Sequence, residues 1–331
     1  MIPKAELHVH LEGAAPPGLI RRIARRNGLD VPPGLIGADD RYAWRDFLHF
    51  LELYDAAVGV LRTGDDYRDL VYEYLLGCAA EGAIYVELTA SPDHAAGAGL
   101  SDAEHVEALA RGIDDARRDS GIEARVIMTC VRQYGVERAE EVARRTVAVP
   151  HPYVTGFGIA GDEASFPPAP FARAFAIAHD GGLGCTAHAG EWGGPDSIRG
   201  ALALPGVTRL GHGVRAIADP ALVAELAERG TVLEVCPTSN VVLGVFGSYA
   251  EHPLRALREA GVRVTLGSDD PPYWATTIGG EYAVARDELG LTEADLLEVT
   301  RTALEAAFCS DGVRADLLGR LAPWTGHHPA H

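Results

Sequence analysis

Apolar residues in this chain fall into short continuous runs, separated by longer stretches in which they recur every three or four positions. Eight runs stand out: 5–10, 83–88 (AIYVEL), 124–130 (ARVIMTC), 154–159, 183–188 (LGCTAH), 207–212 (VTRLGH), 232–236 and 262–268 (VRVTLGS). Near-continuous apolar runs of this length read as strands covered on both faces. The Ala-, Glu- and Arg-rich segments between them, such as 103–120, 136–147 and 220–229, carry helical periodicity. Strands alternating with helices predict an α/β fold with a parallel sheet, and eight such units can close into a (β/α)8 TIM-type barrel. The stretch from about 15 to 80 is too long for one crossover helix, so extra helices are expected after strand 1, near the catalytic mouth. No repeat or low-complexity linker divides the chain, and residues 1–331 are expected to form a single domain.

The polar residues interrupting this pattern sit at strand ends. Strand 1 ends in His8-Val9-His10, and two imidazoles one residue apart share a side only on extended backbone, where they make half of a divalent-metal site. His188, His212, Cys236 and the pair Asp269-Asp270 end four further strands. In a (β/α)8 barrel the C-terminal strand ends meet at one mouth, where such enzymes carry out chemistry. Adjacent carboxylates there repel unless a cation sits between them, which favours a metal over a simple helix cap.

Composition narrows the partners. Apolar residues make up 47% of 331 and charged residues 23%, enough for a sizeable core. With 29 Lys+Arg against 47 Asp+Glu, the net charge of -18 argues against a nucleic-acid backbone or an anionic membrane as partner. Five widely spaced cysteines, without a Cys-x-x-Cys, read as reduced thiols of a cytoplasmic protein. No signal peptide is expected before His8, and no apolar run reaches membrane-spanning length. His327, His328 and His331 read as a polar tail rather than a site.

Six motifs, in order along nearly the whole chain, resemble the adenosine deaminase branch of the metal-dependent amidohydrolase superfamily. They are Leu7-His8-Val9-His10-Leu11-Glu12-Gly13, Gly161-Asp162-Glu163, His188-Ala189-Gly190-Glu191, Leu210-Gly211-His212-Gly213, Cys236-Pro237-Thr238-Ser239-Asn240 and Ser268-Asp269-Asp270-Pro271. The resemblance implies one Zn2+ held by His8, His10, His188 and Asp269, an ion that lowers the pKa of a bound water from about 15.7 towards 7. It implies attack at C6 of a purine and loss of ammonia. Glu191 would be the acid that protonates N1, for which burial must keep it protonated. His212 would orient the attacking oxygen and Asp269 would take its proton. Asp270 would hold N7, and the backbone of Gly161 would approach N3. Cys236 is structural in this pattern. Strand 4 lacks the lysine that bridges two metals in binuclear relatives, so a mononuclear site is expected.

The resemblance leaves the substrate open. Adenosine and 2'-deoxyadenosine, converted to inosines, are the leading expectation; adenine or a 5'-modified adenosine such as aminodeoxyfutalosine is the alternative. A purine-binding barrel without turnover is a remote one. Adenosine deaminases usually carry Asp where Glu12 stands, next to the ribose 5'-hydroxyl, and Glu12 is similar to adenine deaminases. Gly211 points the other way, since adenine-specific members read Asp-His-Gly there. Trp44, Phe47, Leu48 and Leu51 have helical spacing and read either as plain core or as a gate over the pocket, with Phe47 as a substrate contact. Tyr273 and Trp274 either shape the pocket or pack beneath it.

Overall fold

The computed structural model describes residues 1–325; the tail histidines His327, His328 and His331 lie outside the described residues. Eight parallel strands follow one another around a single sheet: β1 (Lys4–His10), β2 (Ala83–Ala90), β3 (Glu123–Val131), β4 (Val154–Ala160), β5 (Gly184–Ala189), β6 (Val207–His212), β7 (Val232–Val235) and β8 (Arg263–Leu266). All eight expected runs are strands. The last two are shorter than their apolar runs, because Cys236 and residues 267–268 already belong to the turns that carry the polar groups.

Sheet order β1 to β8 closes through the chain just past β8. Asp269 bridges Val9 in parallel, with His10 N donating to Asp269 O at 2.8 Å and Asp269 N donating to His8 O at 3.1 Å. Closure therefore brings the two ends of the chemistry-bearing sequence, residues 8–10 and 269, into direct contact. Helices cover the outside, including Asp102–Ser120, Val136–Ala148 and Pro220–Arg229. Among the described residues, no helix is long and apolar enough to cross a membrane.

Three helices lie between β1 and β2: α1 (Pro17–Arg26), α2 (Phe47–Val58) and α3 (Gly64–Ala80). The expected insertion of about 15–80 is thus narrower. Helix α3 leads straight into β2 and packs along Asp102–Ser120 so closely that a Cβ at Gly112 would meet Val71 Cβ at 2.7 Å, which makes α3 the regular crossover. The inserted part is α1 and α2. Asp46 caps α2 by accepting from His49 N at 3.0 Å.

The barrel interior holds a buried ion network. Arg209, 1% exposed, lies between Glu87 (Nη2 to Oε2, 2.5 Å) and Glu234 (Nε to Oε1, 2.7 Å), with its guanidinium 3.6 Å from the Phe308 ring centroid. A buried cation with two carboxylates and an aromatic face is compensated, whereas removal of one partner leaves uncompensated charge.

Candidate active site

At the C-terminal mouth, β1 supplies His8 and His10, β5 supplies His188, and the turn after β8 supplies Asp269. One ligand atom from each lies within 4.8 Å of all the others. His10 Nε2 stands 3.1 Å from His188 Nε2 and 3.3 Å from Asp269 Oδ1, and His8 Nε2 stands 3.5 Å from the same oxygen. His8 Nε2 is buried with no hydrogen-bond partner. An orphaned imidazole nitrogen converging with two others and a carboxylate oxygen fits a divalent cation.

The surroundings aim these atoms. Glu234 Oε2 lies 3.0 Å from His8 Nδ1, leaving Nε2 to face the cluster. Ser239 Oγ donates to Asp269 Oδ2 at 2.6 Å and Trp274 Nε1 donates to it at 3.3 Å, which leaves Oδ1 towards the histidines. Burial disfavours the His8 imidazolium, yet the Asp269 and Glu234 carboxylates outweigh it and push His8 up to about 10. At Gly211 a Cβ would meet His8 Cε1 at 2.8 Å and His188 Nδ1 at 3.1 Å. With the rings in this arrangement, a side chain at this position would have to displace the His8 ring.

Glu191 and His212 close the other side. His212 Nε2 is 3.7 Å from Glu191 Oε1, and His212 itself adopts φ +62°, a strained conformation for a residue with a side chain. Asn240 Nδ2 lies 3.2 Å from His212 Nδ1 and Asn240 Oδ1 lies 3.2 Å from His252 Nε2. This network assigns the His212 proton to Nε2, facing Glu191. Burial holds His212 down to about 4, so it is neutral at pH 7. Burial, and then the charges of Asp269 and Glu163, push Glu191 well above the ordinary carboxylate range. The same causes, burial and then Asp269, raise Asp270, whose Oδ1 is buried without a partner.

The turn carrying Glu191 is held by Glu163. Its carboxylate accepts from Gly190 N (2.6 Å), Glu191 N (3.1 Å), Trp192 N (2.9 Å) and Ser197 Oγ (2.5 Å). Arg215 Nε donates to Glu191 O at 2.6 Å, and Arg132 donates to His188 O.

These groups surround a cavity of about 90 Å3, bordered by His10, His188, Glu191, His212, Asp269 and Asp270. Glu12 and Gly161 also border it. Glu12 is buried, accepting from Ser91 N at 3.0 Å and Tyr54 Oη at 3.4 Å. Gly161 has φ +102°, and a Cβ there would meet Gln133 Oε1 at 2.2 Å, so Gln133 already excludes a side chain. Helix α2 roofs the cavity with one face, Phe47, Phe50, Leu51, Tyr54 and Asp55. Phe47 meets Trp192 at 5.2 Å between ring centroids. The expected stripe divides: Phe47 and Leu51 line the cavity, Trp44 packs edge-on against Trp274, and Leu48 turns outward, 62% exposed. Trp274 lines the cavity, while Tyr273 stacks on Tyr42 at 3.9 Å. Cys236 is buried and belongs to neither ligand cluster among the described residues.

The sequence motifs leave out Glu234, Phe50 and Tyr54, and contain Glu163, Ser239 and Asn240 without roles assigned to them. Of the residues left out, Glu234 carried a signal, as a lone carboxylate inside the apolar run VLEV.

Comparison with known proteins agrees with this geometry. A family model described as adenosine deaminase matches residues 3–324. An adenine deaminase of Chelativorans sp. (strain BNC1) is 50% identical over 323 residues, covering 98% of this chain and 99% of that protein. Another, from Agrobacterium fabrum, is 48% identical over 318 residues, covering 96% and 97%. Among solved structures, the adenine deaminase of Arthrobacter aurescens superposes with a TM-score of 0.92 at 31% identity, covering 99% of this chain and 100% of that one. An amidohydrolase from Burkholderia ambifaria, solved with bound Zn, gives 0.89 at 28% identity, covering 98% and 90%. With its motifs, its barrel and its relatives in agreement, the chain belongs to the adenosine deaminase family.

Proposed function

We propose that this protein is a zinc-dependent deaminase of 6-aminopurines whose substrate is adenine, converted to hypoxanthine and ammonia. The observation that carries the reading is the convergence of Glu191, His212 and Asp270 on one cavity beside the His8–His10–His188–Asp269 cluster. Three of the four relatives just described are named for adenine, which favours the alternative reading of the sequence over adenosine. Glu12, a carboxylate tied to Ser91 and Tyr54 at the cavity wall, supports a base over a nucleoside.

His8, His10, His188 and Asp269 Oδ1 would hold a single zinc. Bound there, zinc would supply Lewis acidity and make a water acidic near neutral pH. The chain's own groups do the rest. Glu191, kept protonated by burial, donates its proton to purine N1, so that C6 accepts the oxygen of water without charge building on the ring. The His212 Nε2–H orients that oxygen and stabilises its charge. Asp269 accepts one water proton, which returns to the departing amino group as ammonia leaves, and the proton left on the C6 hydroxyl passes to Glu191, forming the C6 carbonyl and restoring the acid. Protonated Asp270 donates to N7, and the Gly161 N–H faces N3. Lined by Phe47, Leu51 and Trp274, the cavity excludes bulk water and strengthens each of these interactions.

The direct test compares adenine, adenosine and a 5'-modified adenosine as substrates of zinc-loaded protein, by loss of purine absorbance and by ammonia release. Adenine ahead by tenfold or more in kcat/KM, about 1.4 kcal/mol of transition-state preference, is the expected result. Adenosine ahead by the same margin would restore the nucleoside reading.

A further inference from the structure

We propose that His94 and Asp55 form a bar across the far end of the cavity, and that this bar selects the free base against a purine substituted at N9. The inference rests on the aminopurine reading above. With C6 placed at Glu191 and the metal donors, N9 lies on the opposite side of the ring and points away from them.

Both side chains border the active-site cavity, and both also border a second space, a groove of about 760 Å3 between α2 and the loops after β2 and β3. That volume falls within the range of small-molecule sites. None of the metal donors, nor Glu191, His212 or Asp270, borders the groove, so the shared wall is the one remote from the chemistry. The wall is thin. His94 Nε2 lies 3.2 Å from Asp55 Oδ1, tying the roof helix α2 to the short helix Pro92–Gly97 after β2. Tyr54 packs on the His94 ring at 5.6 Å, and Tyr134 Oη lies 3.4 Å from the same Nε2.

Beyond the bar stand Arg62, the Tyr134 side chain and the ion pair of Arg138 with Asp93 at 2.9 Å, groups suited to a hydroxylated substituent. Space for a sugar therefore exists next to the cavity, closed off by two side chains that meet across a seam between the lid and the barrel. A barrier of this kind discriminates by excluding the larger ligand rather than by holding the smaller one more tightly.

Asp55→Ala and His94→Ala test this in the zinc-loaded full chain. The quantity to read is the ratio of kcat/KM for adenosine to that for adenine. Either variant should raise the ratio about fivefold or more, with Asp55→Asn, which keeps the bulk, raising it less. A smaller rise in both alanine variants would overturn the proposal. If a variant loses turnover, calorimetric binding of inosine against hypoxanthine reads the same selectivity under the same threshold. A parent protein inactive on adenine would sink the functional reading instead, and the binding ratio would still decide the bar.

Discussion

His8 Nδ1 and Glu234 Oε2 stand 3.0 Å apart beneath the histidine cluster, and Glu234 is in turn paired with Arg209 at 2.7 Å. A line of charge thus runs from the barrel core to the ring that presents Nε2 at the mouth. Glu234→Gln should weaken zinc binding by about 10–100-fold, since a carboxylate behind a ligating imidazole fixes its orientation and raises its basicity. Competition against a chelator measures this, and unchanged affinity would remove Glu234 from the metal site.

Glu191→Gln should keep the metal and the fold but lower kcat by about 10²–10⁴-fold, because only the transferable proton is removed. The pH profile gives the sign. Burial, then the charges of Asp269 and Glu163, raise the Glu191 carboxyl, so the active, protonated form persists above the ordinary carboxylate range. Activity should fall as pH rises through that raised value, and a rate that instead climbs over that range would contradict the acid role.

Glu163→Ala removes one carboxylate that holds three backbone N–H groups and a hydroxyl in the turn before and after Glu191. With the turn released, kcat should fall by at least about tenfold while zinc content stays near the parent's, since no metal donor is changed. Measuring both in the same preparation separates a positioning role from general unfolding.

Glu281, fully buried, accepts from Thr238 N at 3.1 Å and Thr276 Oγ1 at 2.6 Å, and burial pushes it up to about 7. The folded state then binds a proton that the unfolded state has released, so the contribution is fully present below the unfolded value near 4.5 and is lost as pH rises towards 7. The span corresponds to at most about 3 kcal/mol. Thermal melts of Glu281→Gln should show a flatter dependence on pH between those values; an identical slope would show that Glu281 does not titrate there.

Much of the fold and of the site is legible before folding. His8 and His10 stand out by spacing, and Glu191 through the resemblance of the motif His188-Ala189-Gly190-Glu191. Glu234 showed only as a lone carboxylate in an apolar run, because an acidic residue in a strand becomes a second support only when a histidine two strands away in the closed sheet meets it. Phe50 and Tyr54 were missed for a similar reason: which face of α2 looks inward depends on how the inserted segment folds over the mouth. Gly211 pointed away from adenine, and that it also lies against the His8 and His188 rings is visible only in the folded chain.

What the sequence determined by itself is local and periodic: eight apolar strands with helices between them, and polar residues at the strand ends, where backbone geometry alone dictates direction. What only the tertiary structure decided is everything that depends on closure. The bridge from Val9 to Asp269 sets His8 and His10 beside Asp269, and the fold of α2 over the barrel sets the roof of the cavity and the His94–Asp55 contact. Distances between groups far apart in the chain are fixed by packing, and packing belongs to the whole molecule rather than to any one segment.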